Sequence, residues 1–239
     1  MILFILSIAA FLTSTISGLV GMGGGVTLLA VMTFFYPMHV IIPIHGAVQF
    51  TSNVSRTLIL RQHIHRASFK AFLFGVPLGA LGVWFLLTRS SRPEWVIWIV
   101  IILLFYVAFK PKKLPEIRLK PQWYFLLGVL GSFLGALIGA TGPLLAPFFA
   151  RSDFSKEQIV ATKSACQILV HLVKFPIFIG LSFAYDEYWQ EILLMLMAVV
   201  LGTRVGVGLL KRLRPKTFML ILKVALALTG LRLLFNNLS

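Results

Sequence analysis

The sequence predicts an all-α, polytopic membrane protein made of two inverted repeats, each with a glycine-broken re-entrant helix pair and about three spanning helices. Three features predict this fold: an excess of apolar residues, long apolar segments that alternate with short basic connections, and a weak internal repeat. Of the 239 residues, 59% are hydrophobic and 12% are charged. A soluble domain cannot bury that much apolar surface, so we expect lipid to surround most of the chain.

Eight apolar segments, which we name A to H, follow one another along the chain. They cover residues 2–36, 40–60, 69–88, 95–109, 122–150, 158–181, 190–210 and 216–235. One membrane crossing needs about 20 apolar residues, so segments A and E are too long for a single simple span. Each contains a glycine-rich break in its middle, GMGGG at 21–25 and GATGP at 139–143. Glycine and proline at this density break a helix, and we expect two short helices in each segment.

An internal repeat relates the two halves at an offset of 118 residues. The ungapped matches include both helix breaks and an intramembrane glutamine: Gly21 with Gly139, Gly24 with Gly142, Ala47 with Ala165, and Gln49 with Gln167. After a shift of a few residues, Gly79 also matches Gly202. We therefore divide the chain into a first transmembrane repeat (1–110), a basic cytoplasmic linker (111–121) and a second transmembrane repeat (122–239).

The charged connections predict how the halves are oriented. Lysine and arginine concentrate in the B–C (61–70), D–E (110–120) and G–H (211–216) connections, whereas the F–G connection at 182–191 carries acidic charge only. The positive-inside rule places the three basic connections in the cytoplasm and the acidic one outside. This pattern requires segments A and E to enter the cell inner membrane and return, with both termini outside. Broken helices at corresponding places of two inverted halves predict a transporter's binding site.

Segments B and F each carry a polar stripe inside an otherwise apolar helix. The stripes share a spacing of four, four and three residues and consist of His45, Gln49, Asn53 and Arg56 in B, and of Lys163, Gln167, His171 and Lys174 in F. This spacing places each set on one helix face. Polar groups at membrane depth usually line a cavity, and we assign that role to the first three residues of each stripe. The alternative for them is a hydrogen bond between helices. For Arg56 and Lys174, a site role and an anchor at the lipid headgroups both remain open.

The glycine breaks supply further candidate binding groups. A half-helix that begins at a break directs its first N–H groups and the positive end of its dipole toward that break, which favours an anion. The candidates are Gly23, Gly24, Gly25, Thr141 and Gly142. The alternative is that these glycines only allow two helices to approach closely. Arg204, flanked by glycine in segment G, is a candidate substrate cation that has no charged counterpart in segment C.

Acidic residues are confined to the connections and segment ends, where all seven of them fall. No carboxylate is therefore available within an apolar segment for sodium or an Asp/Glu proton relay, and a site of Lys, His and Gln favours anions. Proton coupling would use a histidine, a lysine or the protonated substrate. Many of the cations behind the net charge of +15 cluster in the short connections, which argues against nucleic acid as a partner. We predict no metal site, no cofactor and no enzymatic activity, because no matching motif is present.

Three features together carry a family resemblance: the break at 21–25, the stretch PIHGAVQFTSN at 43–53, and a degenerate second copy. With them the chain resembles the TauE/SafE family of sulfite exporters, also called the toluene sulfonate uptake permease family. The resemblance implies transport of sulfite or of organosulfonates such as sulfoacetate, linked to the proton gradient. It also implies site roles for the first break, Gln49 and Asn53, and for Gly139, Gly142 and Gln167. The second copy departs from the first at 141–143 and at His171.

The sequence therefore predicts a carrier for small sulfur-containing anions. Lys163 and His45 supply charge, Gln49 and Gln167 orient the anion, and rocking of the two halves alternates access. An anion channel and a carrier for another small organic anion are the alternatives within transport, and a membrane scaffold is the alternative outside it. The expected partners are the anion, protons and membrane lipid, whereas the direction of transport and the oligomeric state are not predicted.

Overall fold

The computed structural model describes residues 1–89 and 118–214, together with positions 217 and 220. All regular structure in this part of the chain is helical. The helices are α1 (Ile2–Val20), α2 (Gly24–Met32), α3 (Met38–Ile59), α4 (Arg66–Arg89), α5 (Tyr124–Ile138), α6 (Gly142–Phe149), α7 (Lys156–Leu172), α8 (Lys174–Gly180) and α9 (Trp189–Arg212). Segment D, the predicted boundary at 110, and segment H apart from positions 217 and 220 lie outside the described residues.

The described chain is that of a multi-pass membrane protein. Five of its helical segments are long and apolar enough to cross a membrane: Ile2–Val20, Arg66–Arg89, Pro121–Ile138, Lys156–Gly180 and Tyr185–Arg212. Helix α3 is also long enough to cross, with 22 residues. It is not among the five because its polar stripe lowers the hydropathy of the segment.

Both predicted helix breaks are present, and each begins with a glycine that has a positive φ angle. Gly21 follows α1 with φ of 80° and Gly139 follows α5 with φ of 90°. Only glycine adopts such φ angles without strain, so both equivalent positions need glycine to end their helices. After the first break, the backbone at Gly24 touches the carbonyl oxygen of Thr13. Helix α2 therefore begins beside α1 rather than beyond its end.

Segment F, which the sequence presents as one continuous stripe, consists of two helices. Helix α7 begins with a capping box in which Ser155 Oγ accepts from the Gln158 N–H at 3.1 Å and Gln158 Oε1 accepts from the Ser155 N–H at 2.9 Å. It ends at Leu172, and α8 begins at Lys174. Pro176 explains the interruption, because it lacks an N–H group and its ring would collide with the carbonyl group of Leu172 in a continuous helix.

Two helix pairs pack closely, and each pair joins one half of the chain to the other. Helix α1 packs against α9, and α4 packs against α5. A Cβ atom at Gly202 of α9 would collide with Ser14 of α1, and one at Gly79 of α4 would collide with Ser132 of α5. Gly79 and Gly202 correspond in the repeat, and Ser14 and Ser132 correspond at the offset of 118 residues. Small residues thus make equivalent close contacts in both pairs.

The basic connections converge at one end of the molecule. One hydrophobic cluster contains Leu60 directly before the B–C connection, Leu119 from the linker, and Leu213 after α9. A separate cluster at the other end of α3 contains Tyr36 and residues around the acidic F–G connection. There Tyr36 donates a hydrogen bond to Glu191 at 3.1 Å, and burial and this carboxylate raise the pKa of Tyr36 to about 12. The basic and acidic connections therefore lie at opposite ends of α3.

Candidate functional site

A polar cavity lies where the two glycine breaks meet α3 and α7. From the breaks, the predicted site residues Gly23, Gly25, Thr141 and Gly142 line it. From the two helices, His45, Gln49, Lys163, Gln167 and His171 line it. The structure therefore brings most of the predicted site residues of both halves into one place.

Lys163 connects the second half of the chain to the first break. Its Nζ donates to the carbonyl oxygen of Gly21 at 2.5 Å and to Gln167 Oε1 at 3.0 Å. The side chain is 1% exposed, and Nζ lies 3.7 Å from the position that a Cβ atom of Gly142 would occupy. One basic group thus contacts the first break and approaches the second.

The two histidines of the stripes face each other across the cavity. His45 Nε2 lies 2.8 Å from the carbonyl oxygen of Gly25, and since a carbonyl only accepts, the proton is on Nε2. The His45 and His171 rings are edge to face with centroids 6.1 Å apart. Both side chains are buried. The pair spans α3 and α7 directly beside the first break.

Each glutamine lies against the start of the short helix in its own half. Gln49 Oε1 lies 3.2 Å from the position of a Cβ atom at Gly25, and Gln167 Nε2 lies 3.5 Å from that position at Gly142. Because the two glycines have no side chain, the amide groups can occupy the space beside them. Gln49 and Gln167 therefore hold equivalent places, as their match at the offset of 118 residues predicts.

The two short helices begin at the cavity without a side-chain cap. Gly23 precedes α2 and Thr141 precedes α6, and neither residue caps its helix through a side chain. Thr141 Oγ1 is buried and has no hydrogen-bond partner within the described chain. The first N–H groups of a helix have no intrahelical acceptor, and the helix dipole is positive at this end. Two such helix starts in one cavity favour an anion.

The buried ionisable side chains beside the cavity are all basic. His45, Arg56, Lys163, His171 and Lys174 are all at most 2% exposed. Across residues 1–89 and 118–214 no carboxylate is buried. Nor do any three His, Cys, Asp or Glu side chains of the described chain lie close enough to hold a metal ion. Buried basic groups without carboxylates are costly unless another anion compensates them.

A comparison with models of known protein families identifies the family of this chain. The family model for sulfite exporter TauE/SafE proteins matches residues 6–233. The chain belongs to the TauE/SafE family. The resemblance inferred from the break and the stretch at 43–53 is thereby confirmed. No curated protein and no solved structure matches the chain significantly.

Four predicted site residues of this TauE/SafE protein do not line the cavity, and one of them is Gly139, whose site role came from the family resemblance. Gly24 packs against α1, as described above. Asn53 donates to the carbonyl oxygen of Gln49 at 2.8 Å and accepts from Arg56 Nη1 at 3.1 Å. Its side chain therefore binds two residues of its own helix instead of facing the cavity. Arg204 is exposed on α9. The glycines that flank Arg204 suggested a deep position, but Gly202 and Gly206 face α1 and leave Arg204 on the opposite side of its helix.

Two basic residues that the sequence left open are buried in this TauE/SafE protein. Arg56 lines the cavity and Lys174 Nζ donates to the carbonyl oxygen of Gly139 at 2.6 Å. Both side chains are 1% exposed, so neither is an anchor at the lipid headgroups. Because both residues belong to the polar stripes, the sequence did indicate that they could be buried. Their position near segment ends indicated the opposite, because a lysine or arginine there commonly extends to the membrane surface.

The cavity is narrow in this conformation. The space left inside it is only about 10 Å³, roughly that of one water molecule. An anion of several atoms does not fit into that volume. Side chains or helices around the cavity must therefore move before such an anion can enter.

Proposed function

We propose that this protein is a secondary transporter of small sulfur-containing anions, such as sulfite and organosulfonates, in the cell inner membrane. The observation that carries the proposal is the buried group of basic side chains that has no buried carboxylate near it and faces two uncapped helix starts. Membership of a sulfite exporter family supports the choice of anion. In this proposal Lys163 and His45 supply charge, while Gln49 and Gln167 orient the anion.

The proposed mechanism is alternating access between two inverted repeats, each with a re-entrant helix pair. The equivalent breaks at Gly21 and Gly139 and the equivalent contacts of Gly79 and Gly202 support the repeat. The narrow cavity supports a cycle in which the anion is enclosed and then released on the other side. An inside-negative potential contributes about 2.3 kcal/mol per charge per 100 mV, so voltage alone favours export, and uptake needs a co-ion such as a proton.

The topology is tested by labelling single cysteines from outside intact cells. Arg61, Asp186 and Lys211 are exposed at the ends of helices. We expect a membrane-impermeant maleimide to label Asp186→Cys readily, and to label Arg61→Cys and Lys211→Cys only after the cells are opened. The one native cysteine, Cys166, is buried and provides a low background. Labelling of all three positions from one side would contradict the inverted arrangement.

Transport is tested with purified protein in liposomes and radiolabelled sulfite and sulfoacetate, under imposed pH and voltage gradients. We expect saturable flux with counterflow. Gln49→Ala and Gln167→Ala should each lower it about 3- to 10-fold, because each removes a hydrogen bond of about 0.5–1.5 kcal/mol. The control is Gln62→Ala, since Gln62 is exposed in the B–C connection.

The same measurement distinguishes the alternatives. An anion channel would give flux that neither saturates nor shows counterflow. A scaffold would give no flux with any anion in verified folded protein. A carrier for a different organic anion would give saturable flux with that anion and none with the sulfur compounds.

A further inference from the structure

Arg56 is the largest fully buried side chain in the described part of the protein. It lies only three residues before the end of α3, yet it is 1% exposed and lines the cavity. A guanidinium group is strongly polar, so burial at this depth requires partners for its N–H groups. Which of its donors have partners indicates what the residue does.

The two terminal nitrogen atoms of Arg56 are held from two helices. Nη1 donates to Asn53 Oδ1 at 3.1 Å and to Ser164 Oγ at 3.2 Å. Nη2 donates to Ser52 Oγ at 3.1 Å, and Ser52 Oγ lies 3.2 Å from Thr203 Oγ1 of α9. The guanidinium plane is thus fixed by α3 and α7, and through Ser52 it is linked to α9.

The remaining donors of Arg56 lie on adjacent nitrogen atoms. Nε is buried and has no hydrogen-bond partner among the described residues. The single bond made by Nη2 uses one of its two N–H groups. The fixed guanidinium group therefore keeps one donor on Nε and one on Nη2 for a further acceptor. Such pairs of parallel N–H groups match two oxygen atoms of one oxyanion.

Three other cavity residues also have buried polar atoms without partners among the described residues. These atoms are Thr141 Oγ1 from the second break, His171 Nδ1 from α7, and His45 Nδ1, which carries no proton because that of His45 is on Nε2. They lie on the walls of the cavity that Arg56 also lines. A compact oxyanion with three oxygen atoms offers acceptors for Arg56, Thr141 and His171 together. A spherical anion such as chloride cannot contact them in the same way.

We infer that Arg56 binds the transported anion through Nε–H and a neighbouring Nη2–H, and that it determines the preference for oxyanions over spherical anions. The inference rests on the proposed function, and it adds a specificity-determining residue to that site. A lysine at this position retains the positive charge but acts as a point charge without the planar pair of donors. Such a point charge lacks the two directed donors that match the oxygen atoms of sulfite and that a spherical chloride ion cannot use as a pair.

The test compares wild type with Arg56→Lys in proteoliposomes. The KM and maximal rate of sulfite flux are measured, together with the chloride concentration that halves the flux. We expect Arg56→Lys to raise the sulfite KM about tenfold and to reduce the preference for sulfite over chloride by a similar factor. The matched control is Arg66→Lys, because Arg66 is exposed at the start of α4. It should leave both quantities unchanged.

A second variant covers the case in which Arg56→Lys does not fold. Arg56→Gln is uncharged and keeps N–H donors for Ser52 and Asn53, and it should lose the preference for sulfite in the same manner. A purely structural role would lower the maximal rate or the thermal stability without altering that preference. An unchanged preference in a folded variant would overturn the assignment of Arg56 alone. Absence of sulfite and sulfonate flux in folded wild type would overturn the proposed function and this inference together.

Discussion

Replacing Lys163 with methionine should reduce sulfite flux by about 10- to 100-fold. Lys163 contacts Gly21 and Gln167 and approaches Gly142, so it is the basic group best placed to bind an anion between the two breaks. A hydrogen bond to a charged group contributes about 1.5–3 kcal/mol, and about 1.4 kcal/mol corresponds to a tenfold change. The measurement is the initial rate of radiolabelled sulfite flux per amount of folded protein.

Methionine is chosen because it fills a similar apolar volume, so that the fold is retained. It leaves the Gly21 carbonyl oxygen without its donor, which costs about 1–3 kcal/mol of stability, and a thermal melt therefore accompanies the flux measurement. Lys70→Met is the matched control, because Lys70 is exposed on α4. Flux of Lys163→Met equal to that of Lys70→Met would remove Lys163 from the site.

The second large effect is expected for Gly24→Ala. The added Cβ atom would collide with the carbonyl oxygen of Thr13, which belongs to the backbone of α1 and cannot rotate away. Overpacking of this kind costs about 1–3 kcal/mol or more, because the two helices have to separate. We expect a Tm lower by several degrees in the absence of any anion, together with a loss of flux.

Gly208→Ala is the control for this substitution. Gly208 lies inside α9, and a Cβ atom there would meet nothing within 4 Å. Alanine in a helix interior is favoured over glycine by about 0.5–1 kcal/mol, so the Tm should stay the same or rise. If Gly24 served only as a binding residue, Gly24→Ala would lose flux at an unchanged Tm.

The breaks and the polar stripes are the parts of the site that the sequence predicts well. Glycine-rich clusters in the middle of long apolar segments admit few interpretations, and Gly21 and Gly139 adopt the backbone angles for which glycine is needed. The spacing of His45, Gln49 and Arg56 follows the helix period, which fixes a common face. These features are local, so they can be inferred without knowledge of the neighbouring helices.

The predictions that the structure does not support depend on neighbours far away in the sequence. Arg204 is exposed because the glycine face of α9 packs against α1, and nothing within segment G identifies α1 as its partner. For Arg56 the sequence left a site role and a surface anchor open, and its burial depends on Ser164 of α7, a neighbour distant in the sequence. The spacing of residues within one segment shows which of them share a helix face, but it does not show which other helix packs against that face.

The pairing of α1 with α9 has a consequence for how the chain is assembled. Helix α1 is synthesised well before α9, the helix that covers its small-residue face, so Gly18 can meet Gly206 only after the helices between them have been made. Until then α1 lies in the membrane without that partner. Since α4 likewise depends on α5, neither half contains the contacts that complete its own interior. The two halves are therefore interlocked, and assembly is completed only after both have been inserted.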